Sequence, residues 1–327
     1  MLRTAVIGVG HLGSQHARIH AELASTGACE FVYVCDLDDQ RAKRVADEWH
    51  AGSSIDWGDL IGKVDAVSLA VPTEAHAEIA CSLFEAGIHV LVEKPIARSL
   101  AEADRMIAAA RAGNTVLQVG HAERFNPALV ALRPHVRSPV YFEIHRIGQF
   151  SARSLDIDVV LDLMIHDLDI VQWLVGEDVP VSSLHAVGIP ILTSRVDAAN
   201  ARLEFATGAV ANITASRVGT ERIRKMRFFQ PHDYVAVDYV TNYASISNLA
   251  RPTTSPWPGV NTQVLEVENV EPLYAEITSF LQAIDARSQP IVSGEDGRRA
   301  LSLALRTLKE IEEHTVRSGV NAYLQKA

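Results

Sequence analysis

From Arg3 to about His121 the chain alternates short apolar, β-branched runs with longer stretches whose apolar residues return every three or four positions. The short runs predict strands over Arg3–Val9, Phe31–Cys35, Ala66–Val71, Ile88–Val92 and Val116–Val119. The stretches between them predict helices over His11–Ser25, Asp38–His50, Glu74–Glu85 and Leu100–Ala112. Strands that are apolar nearly throughout are buried on both faces, which requires a parallel sheet covered by helices. Regular alternation of strand and helix makes that sheet doubly wound.

After His121 the pattern changes. Pro127–His135 reads as a helix, Val140–Gln149 as a strand and Asp158–Val175 as a long helix. Period-two strands follow at Ser183–Val187, Ala199–Phe205, Ala209–Arg217, Lys225–Phe229 and Tyr234–Asp238, with Thr207-Gly208 suited to a tight hairpin turn between two of them. The segment from Pro252 to Gly259 reads as a loop, and helices near Pro272–Ala286 and Glu295–Arg317 end the pattern. Strands in series joined by hairpins imply an open antiparallel sheet. The expected organisation is a doubly wound Rossmann domain over residues 1–121 and an α+β substrate domain over residues 122–327.

Composition narrows the class without changing this picture. The chain has 327 residues, 48% hydrophobic and 21% charged, as expected for two globular cores. A net charge of -10 argues against nucleic acid as a partner, because a phosphate backbone demands a basic footprint. Cys29, Cys35 and Cys81 are scattered in apolar runs and read as free thiols. No apolar run reaches membrane-spanning length, and Met1 leads directly into a strand without a charged-then-apolar leader. The expectation is a cytoplasmic protein with no membrane partner.

Candidate chemistry begins at Gly8-Val9-Gly10-His11-Leu12-Gly13, between the first strand and the first helix. There Gly8 permits a tight turn, Gly10 a close approach of backbone to a pyrophosphate, and Gly13 close packing of helix on strand. The helix N-terminus offers amide donors to phosphates. Asp36 ends the second strand, where a carboxylate accepts hydrogen bonds from the adenosine ribose hydroxyls and repels a ribose phosphate. Leu37-Asp38-Asp39 follow, and Arg41 is the nearest base, so NAD is favoured over NADP. The plainer reading of Asp36 is a helix-capping carboxylate.

On the helix after Asp158, a 100° step places Asp158, Asp162, His166 and Asp169 within an arc of about 80°. Val159, Val160, Leu161, Leu163, Met164, Ile165, Leu168 and Ile170 fill most of the remaining circumference, so the helix is buried and its polar stripe needs a reason. Asp162 and His166, four apart, can meet one ligand. Asp167 falls on the opposite side. A core histidine with a capping aspartate remains the structural alternative. Lys94, followed by Pro95 at the end of a parallel strand, stands where ligands bind in doubly wound sheets, although a lysine at a strand end is often only a solvated charge. His11, His16 and His20 read as a helix surface rather than a metal site. The basic run Arg217, Arg222, Arg224, Lys225 and Arg227 reads as an exposed or interface sheet face, with a diphosphate contact as the alternative.

Taken together, these motifs resemble those of the glucose-fructose oxidoreductase, inositol dehydrogenase and rhizopine catabolism family, Gfo/Idh/MocA. The resemblance rests on the glycine motif, on Ala70-Val71-Pro72-Thr73 with His76, and on Glu93-Lys94-Pro95. It extends through Val119-Gly120-His121, Arg124-Phe125-Asn126-Pro127, the Asp162 to His166 pair, and Pro290 with Gly294-Glu295-Asp296-Gly297. It implies an NAD-dependent dehydrogenase acting on a secondary alcohol of a sugar, with no metal. Lys94, Asp162 and His166 are the implied catalytic groups. Gly8, Gly10, His11, Leu12, Gly13, Asp36, Leu37, Ala70, Pro72, Thr73, His76, Glu93, Lys94 and Asn126 are the implied contacts to NAD. His121, Arg124 and Arg153 join Lys94, Asp162 and His166 as implied substrate contacts. Many members carry paired glycines before the catalytic aspartate, where this chain has Asp158-Val159-Val160. The segment from Arg153 to Asp167 looks most like a branch in which the 3-hydroxyl of UDP-N-acetylglucosamine becomes a ketone, on the way to a 3-amino sugar of lipid A. An inositol or free-sugar dehydrogenase is the alternative within enzymes, and a non-catalytic NAD-sensing regulator the alternative outside them. An open sheet face makes a homodimer or homotetramer the expected assembly.

Overall fold

The computed structural model describes residues 1–149, 157–250 and 259–319. Elements run in the order β1 (Arg3–Ile7), α1 (His11–Ser25), β2 (Glu30–Cys35), α2 (Asp39–Trp49), β3 (Gly52–Ser54), β4 (Ala66–Leu69), α3 (Thr73–Glu85), β5 (His89–Glu93), α4 (Leu100–Ala112) and β6 (Leu117–Gly120). They continue with α5 (Pro127–Leu132), β7 (Tyr141–Gln149), α6 (Ile165–Val175), β8 (Val181–Ile189), β9 (Ala198–Phe205), β10 (Val210–Gly219), β11 (Ile223–Gln230), β12 (Asp233–Asp238), β13 (Tyr243–Ala250), β14 (Gly259–Val264), α7 (Pro272–Ala286) and α8 (Gly294–Ser318). Two compact units form. The first is Met1–Phe125 with Val270–Leu301, and the second is Asn126–Asn269 with the chain from Ser302. The chain therefore passes between units after residues 125, 269 and 301, where a division at residue 121 has one crossing.

In the first unit, six parallel strands lie in the order β3-β2-β1-β4-β5-β6. The order reverses between β1 and β4, and the carboxyl ends of the strands at such a reversal frame a crevice. One side of the core joins Val6, Ala17, Val34 and Val45. Another joins Ile19, Leu23, Ala66 and Leu91 to Ile277, Phe280, Leu281 and Ile284 of α7. Burying each valine, leucine, isoleucine or phenylalanine of these clusters is worth about 1.5–3 kcal/mol. This packing is why α7 belongs to the nucleotide unit rather than to the substrate domain in which the sequence pattern set it.

In the second unit, eight strands lie in the order β14-β13-β12-β11-β7-β10-β9-β8. Every neighbouring pair is antiparallel except β7 with β10, which is parallel. The sheet is therefore mixed, mostly antiparallel and open. Buried residues alternate along β9, β10 and β11, and α6 lies against β10 with Ile165, Leu168, Ile170 and Val171 fully buried. Most of the expected loop over Pro252–Gly259 lies outside the described residues; its last residue begins β14.

Candidate functional site

The glycine turn after β1 is built by exclusion. Gly8 has φ +82°, and a side chain there would lie 2.6 Å from the Ala70 carbonyl oxygen. A Cβ on Gly13 would lie 1.8 Å from the Gly8 carbonyl oxygen, so α1 can start this close to β1 only without one. Gly10 is different: a Cβ there meets no heavy atom within 4 Å. Gly10 also begins α1 without a side-chain cap, and the first turn carries no acidic residue. Uncapped helix amides facing open space form an anion cradle, which fits the pyrophosphate of NAD. His11 and Leu12 are exposed beside it.

Asp36 is 8% exposed, and its orientation is set by backbone. Its Oδ2 accepts from the Val9 amide at 2.8 Å and its Oδ1 from the Asp38 amide at 2.9 Å. Asp38, not Asp36, caps α2 by accepting from the Arg41 amide. Arg41 Nη1 lies 3.3 Å from both Asp36 oxygens, while its Nη2 donates to Asp38 Oδ2 at 3.1 Å. Leu37 is 92% exposed beside them.

At the ends of β4 and β5, His76 ties two loops together. Its Nε2 lies 2.9 Å from the Val71 carbonyl oxygen and its Nδ1 3.1 Å from that of Pro95. Burial pushes its pKa down, while the carbonyls facing both ring nitrogens and the Glu93 charge work in the opposite direction. Ala70 and Thr73 are half-buried and Pro72 is exposed, at the start of α3. Lys94 is half-buried, and its amide donates to Glu93 Oε2 at 3.1 Å. The other Glu93 oxygen lies 3.0 Å from His16 Nε2. Burial works to raise the Glu93 pKa, but His16 and the Lys94 charge outweigh it and hold the carboxyl below its usual range. Gly120 makes room, since a Cβ there would stand 3.0 Å from that carboxyl group. Behind Glu93 sits Glu276 of α7, fully buried, with no hydrogen-bond partner for either carboxyl oxygen. Burial and the Glu93 charge raise its pKa well above the carboxylate range, so Glu276 is held neutral. A groove of about 870 Å³ opens elsewhere on this unit, lined by Leu2, His89 and Val116 at the amino ends of strands, opposite the cradle.

In the second unit the polar stripe expected after Asp158 is reshaped. Val160–Met164 is a π-helical turn, in which the Ile165 amide reaches the Val160 carbonyl. Such turns are rare and concentrate at functional sites. Asp158 precedes the helical winding, and its Oδ1 accepts from the Val196 amide at 2.9 Å. Asp169 is 2% exposed. Asp162 and His166 are half-buried, four residues apart, on a helix whose residues from 167 to 171 are all buried. Asp167 is fully buried and receives two hydrogen bonds from Arg146 of β7, at 2.7 and 2.8 Å. Removing one member of such a pair strands a charge at a cost of about 3–5 kcal/mol.

Two family models match: an oxidoreductase family with an NAD-binding Rossmann fold over residues 2–121, and the GFO/IDH/MocA C-terminal domain over residues 101–229. The UDP-N-acetylglucosamine 3-dehydrogenase of Acidithiobacillus ferrooxidans is 39% identical over 326 residues, 99% of each chain. The chain belongs to the Gfo/Idh/MocA oxidoreductase family. The solved structure of that A. ferrooxidans enzyme superposes with a TM-score of 0.89 at 38% identity, covering 95% of this chain and 98% of the other. The myo-inositol 2-dehydrogenase of Thermotoga maritima is 26% identical, covering 95% of this chain and 97% of its own.

As a Gfo/Idh/MocA protein, the chain gathers Gly8, Gly10, Gly13, Asp36, Ala70, His76, Glu93 and Lys94 in its first unit, and Asp162 with His166 in its second. Other expected contacts are placed differently. Arg124 is buried and its Nη2 lies 3.2 Å from Asp296 Oδ1, an ion pair inside the first unit. Asn126 caps α5 by accepting from the Ala128 amide and donates to the Tyr239 carbonyl at 3.3 Å, both within the second unit. His121 is 1% exposed. Arg153 lies outside the described residues. Arg217, expected on an exposed sheet face, is buried against Asp197 at 3.5 Å, whereas Arg222, Lys225 and Arg227 are exposed. His16 and His20, expected on a surface, are fully buried, partnered by Glu93 and Ser68. Glu276 escaped the sequence reading, although it shares the stripe of Phe280 and Ile284 at four-residue spacing. Among the described residues no cluster of histidine, cysteine, aspartate and glutamate could hold a metal.

Proposed function

We propose that this Gfo/Idh/MocA protein oxidises the 3-hydroxyl of UDP-N-acetylglucosamine to a ketone with NAD. The observation that carries the proposal is the 39% identity, over 99% of both chains, to an enzyme of that name. NAD, when bound, supplies the hydride acceptor. The cradle at Gly10 and the α1 amides holds the pyrophosphate, and Asp36 the adenosine ribose. His166 removes the hydroxyl proton, since imidazole titrates near neutrality. Lys94 donates a hydrogen bond to the same oxygen and steadies its developing negative charge. Asp162 orients the sugar or the imidazole.

The test uses Lys94→Met and His166→Asn. Each is expected to lose turnover of UDP-N-acetylglucosamine by at least about 100-fold, while NADH fluorescence titration shows retained binding. The wild-type product is expected to be lighter than substrate by one hydrogen molecule. Unchanged turnover in either variant overturns the assigned roles. Preferential oxidation of myo-inositol or a free sugar overturns the substrate, and no oxidation of any alcohol leaves the sensing regulator.

The free thiols of Cys29, Cys35 and Cys81 support a reducing, cytoplasmic setting. Among the described residues no helix is long and apolar enough to cross a membrane. Exposed Val187 and Ile189 on β8, Phe229 on β11, and Val260 and Val264 on β14 support self-association through the second sheet as a homodimer or homotetramer.

A further inference from the structure

We infer that Arg41 sets the choice between NAD and its 2′-phosphorylated form, and gives the site measurable affinity for NADP. The inference rests on Asp36 being the ribose acceptor. An ionised carboxylate has about four acceptor positions. In Asp36 two are filled by the amides of Val9 and Asp38, at 2.8 and 2.9 Å. What remains faces Arg41, whose Nη1 is shared between both oxygens at 3.3 Å. Those remaining positions are the ones a ribose diol needs, so Arg41 and the diol compete for them.

The competition is built to be reversible. One guanidinium nitrogen standing 3.3 Å from each of two oxygens makes long, weak contacts. Two hydroxyl donors can replace it with shorter bonds. Arg41 does not depart when displaced, because its Nη2 stays on Asp38 Oδ2 at 3.1 Å and its amide stays on the Asp38 cap. Its side chain is 40% exposed, free enough to pivot about that anchor. The guanidinium therefore remains beside the edge of Asp36 to which the 2′ position must come. Against a 2′-hydroxyl it is a mild competitor. Against a 2′-phosphate it is the matching planar cation, and it partly offsets the repulsion from Asp36.

Fluorescence titration of NADH and NADPH against wild type, Arg41→Ala and Asp36→Ala tests this, with thermal melting to confirm folding. Wild type is expected to prefer NADH yet bind NADPH at micromolar to submillimolar concentration. Arg41→Ala is expected to weaken NADPH about tenfold and to tighten NADH, since a competitor is gone. Arg41→Lys, which keeps charge without the fork, is expected to fall between. A ratio of the two affinities unchanged within twofold in Arg41→Ala overturns the inference, as does wild type that binds no NADPH. Asp36→Ala reports separately: if NADH affinity does not fall there, it is the ribose assignment that has failed.

Discussion

At the scale of single residues, three glycines of one motif do three different jobs. Gly8 is required by its backbone angle, and Gly13 by the carbonyl 1.8 Å from its absent Cβ. Gly10 is required by nothing in the folded protein, since a methyl group there meets no atom within 4 Å. Gly10→Ala should therefore fold with an unchanged melting temperature and lose NADH affinity. Gly13→Ala should lose at least about 2 kcal/mol of stability in urea denaturation, because the α1 start must move. If Gly10→Ala kept full affinity, the cradle would not be where the pyrophosphate lies. The motif was legible because its spacing, its preceding strand and its following helix are all local. The pairings of Arg124 with Asp296 and of Arg146 with Asp167 were not, because each joins residues far apart in the chain. A sequence carries no local sign of which distant carboxylate a cation will meet.

At the scale of elements, helix limits were read closely, with α1, α4 and α7 falling where periodicity placed them. The faces were read less well. In α1 the buried residues Gly13, His16, Ala17 and His20 follow helical spacing, so the histidines belong to the inward stripe. Their polarity hid this, and only Glu93 and Ser68, from distant strands, make their burial tolerable. Strands β3, β13 and β14 were missed. The first has three residues, and every position of the last is exposed, leaving no alternation to detect. Burial of His20 has a measurable consequence. Its pKa is pushed down to about 3, first by desolvation and then by His16, while an unfolded histidine titrates near 6.5. The unfolded chain thus binds the extra proton below pH 6.5 and the folded one does not. Stability from this residue is complete above that pH and drains as pH falls toward 3, by about 2 kcal/mol at pH 5. His20→Gln should begin less stable at pH 7, for want of a good ring contact with Phe31, yet lose less between pH 6.5 and 5 in urea titrations. Equal acid slopes would show that the ring is protonated in the fold.

At the scale of the whole molecule, the two architectures were legible from the change of period near His121, because sheet type follows from whether strands are apolar on both faces or one. The parallel contact of β7 with β10 was not, since strand order within a mixed sheet leaves no local trace. The apolar residues left exposed on the second sheet make a prediction about assembly. Light scattering should report a mass of two or four chains, and charged substitution at Val187 and Phe229 together should lower it. A wild-type mass of one chain would reject self-association through that face.

The return of α7 to the first sheet bears on how the protein is made. Ile19, Leu23, Ala66 and Leu91 wait for Ile277, Phe280 and Ile284, which leave the ribosome some two hundred residues after β5. The nascent nucleotide half therefore emerges with an apolar flank uncovered, and it stays open until α7 has been made. Maturation of the amino-terminal half is tied to synthesis of α7, so a product terminated before that helix would display the flank to the cell's quality-control machinery.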